Sequence, residues 1–217
     1  MRPFIRTIET IELDGGWLCL DFTNTVSNRF EEPYFDYLSC YKDILKWMKR
    51  LNLFSHEEIK QIGSFFKKYP DIAEKQYKKI IEVREILYRM FSSVSRDQQP
   101  PENILKRFNK YLSETFRDLR IRVTKNRIVK EDWHRKDQDL LPFQHIIIKS
   151  AYELLNSDLL LKVKECDNCG WLFLDRSKNI SRRWCNMQTC GSTIKAQKYY
   201  QKKKERIMDR HPARDKK

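Results

Sequence analysis

Apolar residues recur along most of this chain at helical spacing. Over residues 36–51, Leu38, Tyr41, Leu45 and Met48 fall three or four apart, which predicts a helix. Ser55 followed by Glu58 reads as a capping box, so a second helix should begin there, and Pro70-Asp71 should break it. Residues 71–95 read as a long helix with Ile80, Val83, Leu87 and Met90 or Phe91 inward, and Pro100-Pro101 opens another that runs to about residue 119. The period then changes. Apolar and polar residues alternate on both sides of Thr124-Lys125-Asn126, a hairpin signal, and a buried helix should follow over residues 143–155.

Near the start, Gly15-Gly16 marks a turn. The run Trp17, Leu18, Cys19, Leu20, Asp21, Phe22 reads as a short apolar strand with a polar end. With only five glycines in 217 residues, the expected fold class is mostly α with small β elements, an α+β chain without internal repeats. A helical N-terminal domain, residues 1–160, should precede a small module at 161–207 and a basic tail at 208–217. No flexible linker separates the first two, so they should pack together, each with a core of its own.

Hydrophobic residues make up 40% of the chain, enough for one sizeable core. Charged residues make up 34%, the mean hydropathy is −0.75, and no apolar run approaches the roughly 20 residues of a membrane helix. Charges interrupt the first residues before any signal-peptide core could form, so a cytoplasmic protein without membrane association is expected. The net charge of +14 is uneven. Residues 176–217 hold fourteen Lys/Arg against three Asp/Glu, so most of the surplus sits in the last fifth.

That basic segment begins at a cysteine cluster. Cys166-x2-Cys169 and Cys185-x4-Cys190 are two close pairs separated by a hairpin-length insert, the arrangement a tetrahedral metal site requires. Disulfides fit a reducing compartment poorly, and a redox Cys-x-x-Cys would leave Cys185 and Cys190 unexplained. Iron suits the same spacing; one structural Zn²⁺ suits it best. Four thiolates leave no open position, so such an ion organises structure and does no chemistry. Arg182, Arg183 and Lys195 are candidates to offset its negative charge.

After Cys190 a helix is expected, with Lys195, Lys198, Lys202 and Arg206 on one face and Tyr199 and Lys203 beside them. Ala196, Tyr200 and Ile207 gather on another face that should pack. This helix lacks the broad apolar face of a membrane-binding one. Basic residues interleaved with a tyrosine suit a phosphate backbone, so Arg182, Arg183, Lys195, Lys198, Lys202, Lys203 and Arg206 are the candidate DNA contacts.

The segment from Cys166 to Gly191 with its lysine-rich helix resembles the CGNR-type zinc finger. Gly15 to Val26, with residues 36–53, resembles the ABATE domain that precedes that finger in bacterial proteins described as stress-induced transcription regulators. The resemblance implies a two-part DNA-binding regulator: an N-terminal domain thought to sense something, for which a small-molecule effector is the expectation, then a finger with Cys166, Cys169, Cys185 and Cys190 on zinc. The signature departs after Cys190-Gly191, where Ser192 and Thr193 replace the family's Asn and Arg. If that Arg contacts DNA, the contact is lost; if it braces the finger, Ser192 can serve as a helix cap instead.

Asp21 and Asn24 end the apolar run. They either satisfy local backbone groups or, as the resemblance implies, stand near an effector pocket. Cys19 and Cys40 read as ordinary buried residues, and Trp17, Trp47, Trp133 and Trp171 as core or hairpin anchors. Trp184 abuts Cys185 and can shield the metal. His56, His134, His145 and His211 pair with no plausible nucleophile or ligand set. Without a phosphate-cradling glycine loop, catalytic metal set or nucleophile elbow, no enzyme is expected. An RNA- or ribosome-associated zinc protein is the second reading, and an enzyme using an N-terminal pocket the third. An N-terminal domain that only pairs two fingers in a homodimer is the alternative to an effector sensor.

Overall fold

The computed structural model describes residues 6–133 and 140–210, with side chains as far as Glu205 in the last helix. Of the residues singled out above, His134, His211 and the side chains of Arg206 and Ile207 lie outside the described set.

Helix α1 (Leu18–Thr23) occupies the stretch that reads as a strand. Its inward residues, Cys19, Leu20, Phe22 and Thr23, follow helical spacing, and a short apolar run does not by itself separate a buried strand from a buried helix. The preceding glycines are both required. Gly16 has φ +70°, and a Cβ on Gly15 would lie 2.7 Å from the Asp21 amide nitrogen.

Helix α2 (Tyr41–Arg50) starts five residues later than its apolar periodicity suggests. Asp36 is instead bridged to Val26, and its carboxylate accepts two bonds from Arg84, at 2.7 and 2.6 Å. The capping box forms as expected and opens α3 (His56–Lys68). Pro70 ends that helix by beginning α4 (Pro70–Ser95), in the first turn where a missing N–H leaves no bond unmade. Helix α5 (Glu102–Asp118) leads into a hairpin of β1 (Leu119–Val123) and β2 (Val129–Trp133), paired from Leu119↔Trp133 to Val123↔Val129. Helix α6 (Leu141–Leu155) follows.

These helices surround the long α4, and the rings of Phe22, Trp47 and Phe143 meet at 5.6–6.0 Å in the centre. Two short antiparallel strands come next, β3 (Val163–Glu165) and β4 (Leu172–Leu174), and then α7 (Ser192–Arg210). Over the described residues the fold is therefore mostly helical with two two-stranded sheets.

The expected packing of the two parts is present, but not as separate cores. Leu172, Phe173 and Leu174 are all buried in the same apolar cluster as the helices, with β3 against α4 and β4 against α1. The side chain of Asn24, just past α1, completes the joint. Its Oδ1 accepts from the Leu172 amide at 2.9 Å and its Nδ2 donates to the Leu172 carbonyl at 2.8 Å. Beside it the Leu174 amide donates to Gly15 O, and the Trp171 indole donates to Val26 O. One side of β4 is thus paired with β3, while its Leu172 and Leu174 backbone groups are held by the start of the chain.

Asn24→Ala should orphan two buried backbone groups at Leu172 and lower stability by roughly 2–5 kcal/mol. Urea unfolding followed by circular dichroism and tryptophan fluorescence checks this, with both signals expected to shift to the same lower midpoint.

Candidate metal centre and nucleic-acid interface

Cys166 follows β3 directly, and a tight turn brings Cys169 back beside it. The Gly170 amide donates to Cys166 O at 2.9 Å, and the Cys166 amide donates to Trp171 O at 2.8 Å. Gly170 has φ +69°, and a Cβ there would meet Arg29 Cβ at 2.6 Å, so only glycine closes this turn. Cys185 ends the insert. Cys190 lies in a wide helical turn, Met187–Gly191, which Asn186 caps by accepting from the Gln188 amide and which runs straight into α7. The fourth cysteine therefore fixes the start of the basic helix.

The four sulfurs lie within 4.8 Å of one another, and all four residues are buried. Cys169–Cys185 and Cys185–Cys190 are each separated by 3.7 Å. That distance is far too long for a disulfide, and it matches the edge of about 3.8 Å expected for a tetrahedron with metal–sulfur bonds near 2.3 Å. Four thiols cannot share this space comfortably. Hydrogen bonds from Cys169 and Cys185 draw the Cys166 thiol below its ordinary range, while Cys166 and Cys169 push the Cys185 thiol up. A divalent cation resolves the conflict by taking four thiolates at once. The donor set fits one structural zinc ion.

Several residues that hold this centre carry no local sequence signal. Glu165, next to the first ligand, is gripped from α4: Tyr88 Oη donates at 2.7 Å, Ser92 Oγ at 3.2 Å and Arg96 Nε at 2.7 Å. The Arg29 amide donates to Cys169 O, and its guanidinium lies over Tyr88 and pairs with Glu85 at 2.7 Å. Asp175, fully buried, accepts from the Ser177 and Arg182 amides and ties down the insert.

The basic candidates divide. Arg182 is turned inward, its guanidinium donating to the carbonyls of Trp184 and Cys185 and lying 5.1 Å from the Phe173 ring. Arg183 stays at the surface in an ion pair with Asp167. Lys195, Lys198, Lys202 and Lys203 are all exposed along α7. The expectation that Ala196 and Tyr200 pack is not met, since both are exposed and α7 packs chiefly against the Met187–Gly191 turn. Helical periodicity identifies a face but not whether anything lies opposite it. Trp184 is half-buried and comes within 3.4 Å of where a Gly191 Cβ would stand.

Ser192 does not act as an N-terminal cap. Its hydroxyl donates to Gln188 and Thr189 carbonyls, and Thr193 Oγ1 donates to Thr189 O. Thr193 also lines a cavity of about 260 Å³ beside the cysteines, together with Glu12, Asp14 and Glu31.

Residues 162–203 match the CGNR zinc finger, and residues 16–158 match the ABATE family, described as "Putative stress-induced transcription regulator". The chain belongs to the ABATE family. None of the curated proteins matches it. The two matches support a transcription regulator built on a zinc finger rather than an enzyme. Among the described residues no helix is long and apolar enough to cross a membrane.

Within the ABATE region, Asn24 has both amide groups engaged on Leu172, and Asp21 Oδ1 accepts from the Gly15 amide at 2.8 Å. Neither residue lines any of the described cavities. Burial, with a smaller push from Asp14, raises the Asp21 carboxyl to about 7 against the opposing pull of the Gly15 amide and Arg50.

Because the folded protein holds this proton more tightly than the unfolded chain, its stabilising effect is complete below about pH 4 and is lost as pH rises through about 7. The loss is of order 4 kcal/mol at most. Asp21→Asn keeps the acceptor for Gly15, so it should flatten the decline in stability between pH 4 and 7.5, measured by urea midpoints across that range.

Proposed function

We propose that this protein is a cytoplasmic DNA-binding transcription regulator in which the zinc centre aims α7 at the duplex. The observation that carries this reading is the exposure of every α7 residue from Lys195 to Glu205, on a helix anchored through Cys190 in the turn just before it. The major groove accommodates an α-helix, and a helix intended for it must be free along its length. Lys195, Lys198, Lys202 and Lys203 supply phosphate contacts, Arg183 adds one at the edge of the finger, and the same helical face continues to position 206. Arg182 belongs to the scaffold in this reading. Tyr199 and Tyr200, 65% and 67% exposed, offer flat surfaces beside the cations.

Thr193 bears on the same question from the other side. It lines the same cavity as Glu12, Asp14 and Glu31, among the described residues three carboxylates against the single cation Arg6, so an arginine at this position would find carboxylates of the protein itself and brace the finger rather than contact DNA.

Replacing Lys195, Lys198 and Lys202 together with glutamine should weaken binding to genomic duplex fragments nearly equally across sequences. The log–log salt slope should fall by about 0.9 for each lost phosphate contact. Fluorescence anisotropy between low and physiological salt measures both, and an unchanged slope removes α7 from the interface. In the same assay Thr193→Arg should raise the melting temperature and leave the slope as it was. Preferential recovery of RNA over duplex DNA with the purified protein would favour the RNA-associated reading.

A further inference from the structure

We propose that the cleft between the β1–β2 hairpin and α6 binds a small planar aromatic cation. The cleft measures about 360 Å³, and its walls include Trp17, Trp133 and Ile146; among the described residues, Glu131, Lys149 and Glu153 are the charged ones that line it. That volume and that mixture of aromatic walls with a few polar groups are typical of small-molecule sites.

Both indoles are set in place before any ligand arrives. Trp133 stacks on His145, with ring centroids 5.2 Å apart and planes 15° from parallel, and Trp17 Nε1 donates to Ser150 O at 2.9 Å. Rigid aromatic walls reduce the ordering cost of binding. Charge then selects the ligand. Glu131 and Glu153 both reach Lys149 Nζ, the first at 3.1 Å, so two carboxylates face one ammonium. The described lining thus carries one negative charge in excess. A singly charged cation balances it, and a flat aromatic one gains cation–π and stacking contact with the indoles as well.

The cleft also touches the joint with the finger. Trp17 adjoins Gly15 and Gly16, whose carbonyls accept from the Leu174 amide at 3.0 Å and Arg176 Nη2 at 3.2 Å. A ligand packed on Trp17 therefore bears on the backbone that holds β4 and holds it more firmly. This coupling to DNA affinity rests on the function proposed above; the binding site does not, and it is read without DNA.

The test titrates the full-length, zinc-loaded protein with benzamidine, benzoate and benzyl alcohol by calorimetry and tryptophan fluorescence. Benzamidine should bind saturably with Kd below about 1 mM and at least about tenfold more tightly than benzoate, one charge interaction's worth. Glu153→Gln, at an exposed position, should remove most of that preference, and Ile146→Trp should fill the cleft and abolish binding. The site is overturned if benzamidine gives no saturable signal, or if Glu153→Gln leaves its preference over benzoate intact. Glu153→Gln decides alone if Ile146→Trp fails to fold. With the site occupied, DNA affinity should change several-fold. Unchanged affinity with intact benzamidine binding overturns the coupling, whereas absence of DNA binding with intact benzamidine binding overturns the DNA reading and leaves the site standing.

Discussion

The three residues of β4 have no stable place outside the protein's main core, and most of the architecture answers to that constraint. Leu172, Phe173 and Leu174 are buried together, and a two-stranded sheet as short as β3–β4 cannot hold them out of water alone. The helical part supplies the missing partners. Asn24 reproduces with one side chain the pair of bonds a neighbouring strand would make to Leu172, and Gly15 adds a third bond at Leu174. The zinc finger is thus seated on the ABATE region by backbone pairing as well as by apolar contact.

The metal works on the same structure from the far side. Cys166 and Cys169 lie at either end of the turn between β3 and β4, so a bound ion holds that turn closed. Glu165, clamped by Tyr88, Ser92 and Arg96, joins the first ligand to α4, while Arg29 joins the second to the loop after α1. Ion and core each complete the other's geometry. What emerges from this rigid base is α7, whose direction is set by Cys190 in the turn just before it and whose side chains from Lys195 to Glu205 are exposed. On the function proposed above, a helix held in this way at one end is free to enter a groove.

Much of this was legible from short-range signals. The capping box at Ser55 and Glu58, the break at Pro70-Asp71, the alternation around Thr124 and the paired cysteines each act within a few residues, and each appears where its spacing indicates. The misses share a different cause. Leu18–Thr23 is too short for periodicity to separate helix from strand, and α2 starts late because Asp36 is claimed by Arg84, 48 positions away. The role of Asn24 depends on Leu172, 148 positions away, and that of Glu165 on three residues about 70 positions back. The solvent-exposed Ala196 and Tyr200 show the opposite case, in which a regular pattern exists without a surface to receive it.

The shared core makes one claim that separates this account from a finger appended to an independent domain: loss of zinc must loosen α1 as well as the cysteine module. Hydrogen exchange by mass spectrometry on the full chain, with zinc bound and after chelation, tests it directly. The account predicts that amides in Leu18–Thr23 and Leu172–Leu174 lose protection together. Loss confined to residues 166–191, with Leu18–Thr23 as protected as in the zinc-bound protein, would contradict it.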